Sequence, residues 1–534
     1  MNKNSKSLYI IIVGLTLILG LFLGNQLSFK HTKKVHFSLS KKDKLENFLR
    51  YINEEYVDTI NTDSIVDKVI QNVLKDLDPH SSYIPNKEVA RAEEELDGEF
   101  TGIGVVFQNY KDTFTIIRPL PDGPAYKSGI KPMDKIIAVD QDTISGKHLN
   151  IDEISKKIKG KAGTKIKLLI YRKQNDSTFQ TKLTRAKIPL KSIPAAFMIN
   201  DTLGFIKIST FAANTYDEFD KALSDLKQKG MKVLILDLRD NTGGLLKQAD
   251  LIADEFLKNG TLIFYTKDKK GNINKAIATA RGKFEEGPLY VLINERTASA
   301  SEIVSGALQD NDRAVIVGRR SFGKGLVQRE MQLGDGSIIR LTTARYYTPT
   351  GRSIQKPYKH GHNKEYEEQF QKRYYDGELF YKDSIPVVDS LKYTTPKGRI
   401  VYGGGGIIPD IFVPLDEKKY NMYVYANPYI SSFITKYLEE HIDELENILP
   451  EDFINDDQIE NKLYEEFIKK HYILKNKNIH SKKIKERVGF IKKLLKASLG
   501  RDLYGDRIFY QILIQDDPMI KKIITIAKSH ESAK

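Results

Sequence analysis

Two side chains in one stretch are suited to acyl transfer, provided the fold brings them together. The stretch runs from Thr297 to Gln328, TASASEIVSGALQDNDRAVIVGRRSFGKGLVQ, and the residues are Ser299 and Lys324. A serine hydroxyl is a weak nucleophile until a base removes its proton. The chain has ten histidines, yet none accompanies a Gly-x-Ser-x-Gly elbow or another serine-hydrolase signature. A lysine kept neutral by burial is the alternative base, a recurring variant of this chemistry. Lys324 is flanked by Gly323 and Gly325, with Phe322 and Leu326 beside them. Bringing its pKa from about 10.4 to about 7 costs roughly 4–5 kcal/mol, which calls for desolvation and a neutral partner. Gln328, four residues on, accepts a hydrogen bond from the amine without the negative charge that would raise its pKa.

Each residue also has a plainer reading. Ser299-Ala300-Ser301-Glu302 fits the S-x-x-E capping box, in which Ser299 merely starts a helix. That position keeps a chemical use, because a helix N-terminus offers free N–H groups to a developing oxyanion. Ser301 competes as nucleophile. Gly318 to Lys324 satisfies the first seven positions of a phosphate-binding loop, but the eighth is Gly325, which lacks the hydroxyl that magnesium needs. The residues that follow alternate like a strand, where a nucleotide site needs a helix. Nucleotide binding is set aside.

The elements that must position these residues come from a chain of 534 residues, too long for one core. Hydrophobic content of 40% and charged content of 29% are ordinary for folded protein. The absence of cysteine excludes disulfides, thiolate catalysis and Cys-based zinc sites. The net charge of +14 comes without an aromatic-basic module, so it reads as a basic surface and not as a nucleic-acid site. Leu8 to Gly24 is an uninterrupted apolar run at the short end of what crosses a bilayer. Large residues (Leu21, Phe22, Leu23) stand where a signal peptidase wants small ones, which favours an uncleaved anchor within residues 1–30. Lys3 and Lys6 before the run are balanced by Lys30, Lys33 and Lys34 after it, so charge alone does not orient it.

Residues 41–95 show helical spacing, at Leu45, Phe48, Leu49 and Ile52 and again at Ile65, Val69, Val73 and Leu77. Asp78-Pro79-His80 stops the second helix, and His80 reads as a turn residue. Residues 96–186 change to strand and turn: a strand at Gly102–Phe107, another at Phe114–Ile117, a short helix ending at Gly129, and strands at 135–139, 165–171 and 178–183. This order resembles a PDZ domain, with Thr101-Gly102-Ile103-Gly104 matching its carboxylate-binding loop. Successive N–H groups freed by glycine can hold a peptide's terminal carboxylate while the peptide adds a strand to the sheet edge. Residues 187–426 alternate strand and helix, which predicts an α/β core with helices packed on a sheet. A β-hairpin is expected around Gly334-Asp335-Gly336, and Lys359–Asp383 reads as a polar surface insertion. Residues 427–534 read as charged helices that pack on the core or mediate oligomers.

TASASEI, then FGKGLVQ, together with the PDZ-like region upstream, resemble the carboxyl-terminal processing (tail-specific) serine proteases over residues 41–425. The resemblance implies Ser299 as nucleophile, Lys324 as general base and Gln328 as the residue that orients the lysine. It implies an oxyanion hole from the N–H of Ala300 and of a glycine in Asn241-Thr242-Gly243-Gly244. Proline is usual in the family where Thr242 stands, which leaves Gly243 and Gly244 as alternatives. It further implies a crotonase-like core with an inserted PDZ domain, a catalytic body outside the cytoplasm, and gating of the site by the PDZ domain. The expected protein is a membrane-anchored endopeptidase, with no cofactor or metal, acting on proteins with free C-termini. A homo-oligomer or a regulatory adaptor protein remains open. The rival is a non-catalytic PDZ adaptor of the cell envelope.

Overall fold

The structure, a computed structural model, describes Thr16, residues 41–470 and residues 488–531. The apolar run 8–24 lies outside the described residues except for Thr16. Among the described residues no helix is long and apolar enough to cross a membrane. The described residues up to Ile70 belong to one unit, which holds α1 (Lys41–Glu55) and the start of α2 (Thr62–Leu77). Leu45 and Phe48 on α1 are exposed.

The described residues from Gln71 onward form the second unit. α2 stops at Leu77, as the following proline requires, and β1 (Ser82–Ile84) and α3 (Asn86–Asp97) come next. β2 (Glu99–Gly102) then leads into a β-rich body made of β3 (Val105–Tyr110), β4 (Thr113–Pro119), α4 (Pro124–Lys127), β5 (Lys135–Val139), β6 (Asp142–Thr143), α5 (Ile151–Ile158), β7 (Lys165–Arg172) and β8 (Ser177–Thr184). β9 (Ala186–Pro189) returns to pair antiparallel with β2 and closes the body at its base. The sheet order is β3-β4-β5-β7-β8, with β6 on β5. Ile116, Ile136, Ile154, Ile166, Leu168 and Ile170 fill its core, each fully buried. α5 is started by a reciprocal cap: Asn150 Oδ1 accepts the Glu153 N–H at 2.9 Å, and the Glu153 carboxylate accepts the Asn150 N–H at 2.8 Å. The single strand expected over 102–107 is broken. Gly104 takes φ +74°, and Ile103 turns into the core with its carbonyl accepting the Ala125 N–H at 2.9 Å.

The α/β core contains β10 (Ala195–Met198), β11 (Leu203–Lys207), α6 (Thr215–Gln228), β12 (Val233–Asp237), α7 (Leu246–Asp254), β13 (Leu262–Asp268), β14 (Ile273–Ile277), β15 (Leu289–Ile293), α8 (Ala300–Asp310) and β16 (Val315–Gly318). β17 (Leu326–Gln332) and β18 (Ile338–Tyr347) form the expected hairpin. Further on are α9 (Asn363–Tyr375), β19 (Lys392–Thr394), β20 (Ile400–Tyr402) and β21 (Ile411–Phe412). One sheet runs β10-β11-β12-β15-β16-β21, parallel throughout except for β10 against β11. Every residue of β11, β12 and β15 is buried, which explains why their sequences are continuous and not alternating. A second sheet runs β1-β18-β13-β14, with β17 on β18. Residues 359–383 are more than a surface insertion. Tyr366 and Arg373 on α9 are buried, and the Arg373 guanidinium donates to the carbonyls of Arg320 and Ser321 while pairing with Glu378.

The C-terminal helices are α10 (Glu417–Leu445), α11 (Pro450–Asn455), α12 (Asp457–Lys470), α13 (Val488–Tyr504), α14 (Asp506–Leu513) and α15 (Pro518–Glu531). They touch both bodies. On the β-rich side Glu439 pairs with Lys135 at 2.5 Å, Thr435 bonds Gln108 at 2.7 Å, and Met133 is buried in the helical core. On the other side Met519, Ile520 and Ile523 pack against Phe205, Ile235 and Leu292 of the parallel sheet. Asp517 pairs there with Arg239 at 2.5 Å, two residues past the end of β12.

Candidate active site

β15 ends at Ile293, and the next turn is pinned before α8 begins. The Thr297 hydroxyl donates to the Leu238 carbonyl at 2.9 Å, and the Ala298 N–H to the Asn241 carbonyl at 3.0 Å. Ser299 follows with φ 56° and ψ −118°, a conformation that costs a non-glycine residue about 1–3 kcal/mol. Such strain persists only where neighbouring contacts hold it. Here the buried Glu302 does so: its Oε2 accepts the Ser299 N–H at 2.9 Å. The capping-box reading holds: Ser299 is the N-cap residue and both halves of the box with Glu302 are present, while the Glu302 N–H also reaches the Ser299 carbonyl at 2.8 Å. Ser301 is fully buried and its hydroxyl donates to the Asn241 carbonyl at 3.0 Å, which removes it from competition.

Glu302 has a second task that its place in an S-x-x-E pattern did not reveal. The same Oε2 accepts the Lys324 N–H at 2.8 Å, while Oε1 accepts the Gly323 N–H at 2.7 Å and the Ser321 hydroxyl at 2.5 Å. The backbone nitrogens of Ser299 and Lys324 thus share one oxygen and cannot be farther apart than those two bonds laid end to end. Burial pushes the Glu302 carboxyl up, against the downward pull of its hydrogen bonds. The Ser299 hydroxyl and the Lys324 amine make no direct hydrogen bond; the lysine points to Gln328, whose Oε1 accepts from Nζ at 3.0 Å. Burial and Arg340 hold the amine below its ordinary value, and Glu302 and Asp78 oppose them.

The Asn241–Gly244 loop lies against Ser299. A Cβ on Gly243 would stand 2.7 Å from Ser299 Cβ and 2.9 Å from the Ala300 nitrogen, and Gly243 has φ +104°. The Gly243 N–H is occupied by Asn241 Oδ1 at 2.9 Å. Gly244 forms a parallel bridge with Phe211 that leaves its own N–H without an acceptor among the described residues, as is the Ala300 N–H at the head of α8. Of the two candidate glycines, the free donor is therefore Gly244, and Gly243 supplies the space.

In the β-rich body, Thr101 and Gly102 belong to β2, paired with Lys187 and Ala186. The N–H groups of Ile103 and Gly104 have no acceptor among the described residues. Ile103 and Gly104 thus keep free donors, while Thr101 and Gly102 are held in the β2–β9 pair.

Sequence reasoning read Asp78 and His80 only as a turn and Tyr366 as part of a surface insertion, but Asp78 and His80 lie near the lysine and Tyr366 holds His80. The Gln328 amide nitrogen donates to the His80 carbonyl, and the His80 ring bonds the Tyr366 hydroxyl at 2.8 Å. The only signal was a helix-stopping turn and a polar insertion, neither of which points to a partner far away in sequence.

The pattern of peptidase family S41 matches residues 202–362, that of a PDZ domain residues 101–183, and that of a family of unknown function (DUF8443) residues 420–505. A carboxy-terminal-processing protease of Bartonella bacilliformis is 36% identical over 308 residues, 57% of this chain and 70% of that protein. The carboxy-terminal processing protease CtpA of Bacillus subtilis is 32% identical over 359 residues, 67% of this chain and 76% of its own. Among solved structures, a photosystem II D1 C-terminal processing protease aligns at 26% identity over 70% of this chain and 87% of its own, with a TM-score of 0.36. On this extent of identity the chain belongs to the carboxy-terminal processing proteases, serine-type enzymes of peptidase family S41 that carry a PDZ domain.

Proposed function

We propose that the chain is a membrane-anchored endopeptidase in which Ser299 attacks a peptide carbonyl and Lys324 serves as general base. The PDZ domain captures the C-terminal tail of its substrates, and the catalytic body works outside the cytoplasm, held by the apolar segment 8–24. The observation that carries the reading is the shared Glu302 carboxylate, which ties the strained serine and the half-buried lysine into one assembly. Lys324 takes the hydroxyl proton as Oγ attacks, and returns it to the leaving amine as the acyl-enzyme forms; water then releases the acid. The N–H groups of Ala300 and Gly244 face the oxyanion. Hydrogen bonds of this kind often close only around bound substrate, which fits the open hydroxyl-to-amine pair. The terminal carboxylate sits on the Ile103 and Gly104 N–H groups.

Incubation of the chain in detergent micelles with a tailed, unstructured protein tests this. Ser299→Ala should leave no cleavage above background, and undiminished cleavage by that variant overturns the assignment. Gly243→Ala should lower kcat by roughly 10²-fold, because a methyl group there meets Ser299 and the Ala300 N–H. Single-turnover rates measure it, and a variant within twofold of the parent contradicts the placement. A non-catalytic adaptor would bind tails equally well with or without the Ser299 hydroxyl.

A further inference from the structure

We propose that His80 and Tyr366 are positioning residues for the Lys324 amine, acting through the amide of Gln328. The inference rests on the reading of Lys324 as the base. Neither residue lies within the segments matched by the peptidase or PDZ patterns.

The argument starts from the two ends of an amide. The His80 main-chain carbonyl can only accept, so the Gln328 amide nitrogen must face it, and Oε1 is left facing Lys324. This orientation decides where the lysine's lone pair goes. A neutral amine that donates one of its hydrogens to Oε1 keeps its lone pair for a hydroxyl proton. With the amide reversed, its NH₂ would donate into that lone pair and occupy the base. The His80 carbonyl is thus the group that keeps the lysine usable.

The carbonyl is held from two sides. On the main-chain side, Asp78 accepts the N–H of His80 and of Ser81 at 2.8 Å each, the Ser81 hydroxyl at 2.6 Å and the Thr342 hydroxyl at 3.1 Å. On the side-chain side, the imidazole bonds the Tyr366 hydroxyl and meets the Tyr366 and Phe322 rings edge-on at 5.3 and 6.3 Å. Tyr366 comes from α9, so an element far along the chain latches the turn.

Charge is consistent with this role. Burial, followed by the nearby Lys324, presses His80 down to about 3. Burial also keeps the Tyr366 phenol well above its ordinary range. Both stay neutral at working pH. The charged groups facing this cluster are Glu302 from α8, Arg340 from β18, Asp78 from the turn, and Lys356, whose ammonium lies 4.4 Å over the Phe322 ring and 3.7 Å over the Tyr366 ring.

The test is a double-mutant cycle on the full chain in detergent micelles, with a quenched fluorogenic peptide ending in a free apolar residue. kcat and KM are measured from pH 5 to pH 10 for the parent, Tyr366→Phe, Gln328→Leu and the double variant. Tyr366→Phe should lower kcat about tenfold with KM within twofold. Its acidic limb should move to higher pH, because a loosened turn admits water to an amine whose pKa is lowered mainly by burial. The double variant should be no slower than Gln328→Leu alone. An unmoved limb, a loss confined to KM, or losses that multiply in the double variant overturn the inference. If Tyr366→Phe does not fold, His80→Gln removes the ring contact while keeping the main-chain carbonyl, and the same outcomes apply. A parent no faster than Ser299→Ala takes down the reading of the site and this inference with it; an active parent matched by Tyr366→Phe takes down this inference alone.

Discussion

Lys324→Met is expected to lose turnover by at least about 10³-fold and yet to fold more stably near neutral pH. The amine is held below its ordinary value first by burial and then by Arg340. Between its folded and unfolded pKa values the unfolded chain binds more protons than the folded one, so stability rises with pH across that window. Below it, the lysine's unfavourable contribution is fully present. A methionine of similar length removes that contribution; each pKa unit of depression corresponds to about 1.4 kcal/mol. The substitution also strips Gln328 of its partner, but Gln328 is only partly buried and water can replace the amine. Comparing two pH values separates the effects, since only the first depends on protonation. Thermal melts at pH 6 and pH 10 should show the variant's advantage at pH 6 and a much smaller one at pH 10. Equal destabilisation at both would mean that Lys324 is not held against its charge.

Glu302→Ala should be worse than a lost helix cap. Four donors converge on this carboxylate, three of them backbone N–H groups of Ser299, Gly323 and Lys324. A buried donor without an acceptor costs about 1–3 kcal/mol, and these losses overlap because relaxation of one loop frees the others. A total of about 3–5 kcal/mol is expected, against about 1 kcal/mol for an ordinary cap. The Ser299 backbone, no longer held at φ 56°, would relax, and a displacement of about 1 Å at the reacting atoms is worth roughly 10²-fold in rate. Denaturant unfolding and kcat/KM together check this. A variant that keeps its rate while losing stability would make Glu302 a packing residue and nothing more.

Much of the site was legible because it is local. Lys324 and Gln328 are four residues apart on one loop and strand, and Ser299 starts the helix that its small neighbours announce. The apolar runs at 233–236 and 289–293 gave two buried strands of an α/β core for a similar reason: burial on both faces leaves no polar alternation to misread. β13 and β14 escaped notice because their outward residues, such as Lys267, Asn274 and Lys275, look like loop composition. The contacts that assemble the site are long-range. Gln328 meets His80 across 248 residues, and His80 meets Tyr366 across 286. Nothing in either local pattern distinguishes a carbonyl that orients an amide from one that faces water. The choice between Gly243 and Gly244 likewise depended on where the Asn241 side chain folds back, which composition does not encode.

The helices of residues 417–470 and 488–531 grip the PDZ body at Lys135 and Gln108 and the catalytic sheet beside Arg239. Among the described residues one set of helices thus contacts both the body that holds the Ile103–Gly104 turn and the sheet that leads to Ser299. If that separation is kept while a tail is seated in the proposed manner, the tail would be measured against it. Substrates of unrelated sequence would then be clipped at a common number of residues from their ends, with product length set by architecture and not by the side chains at the cut.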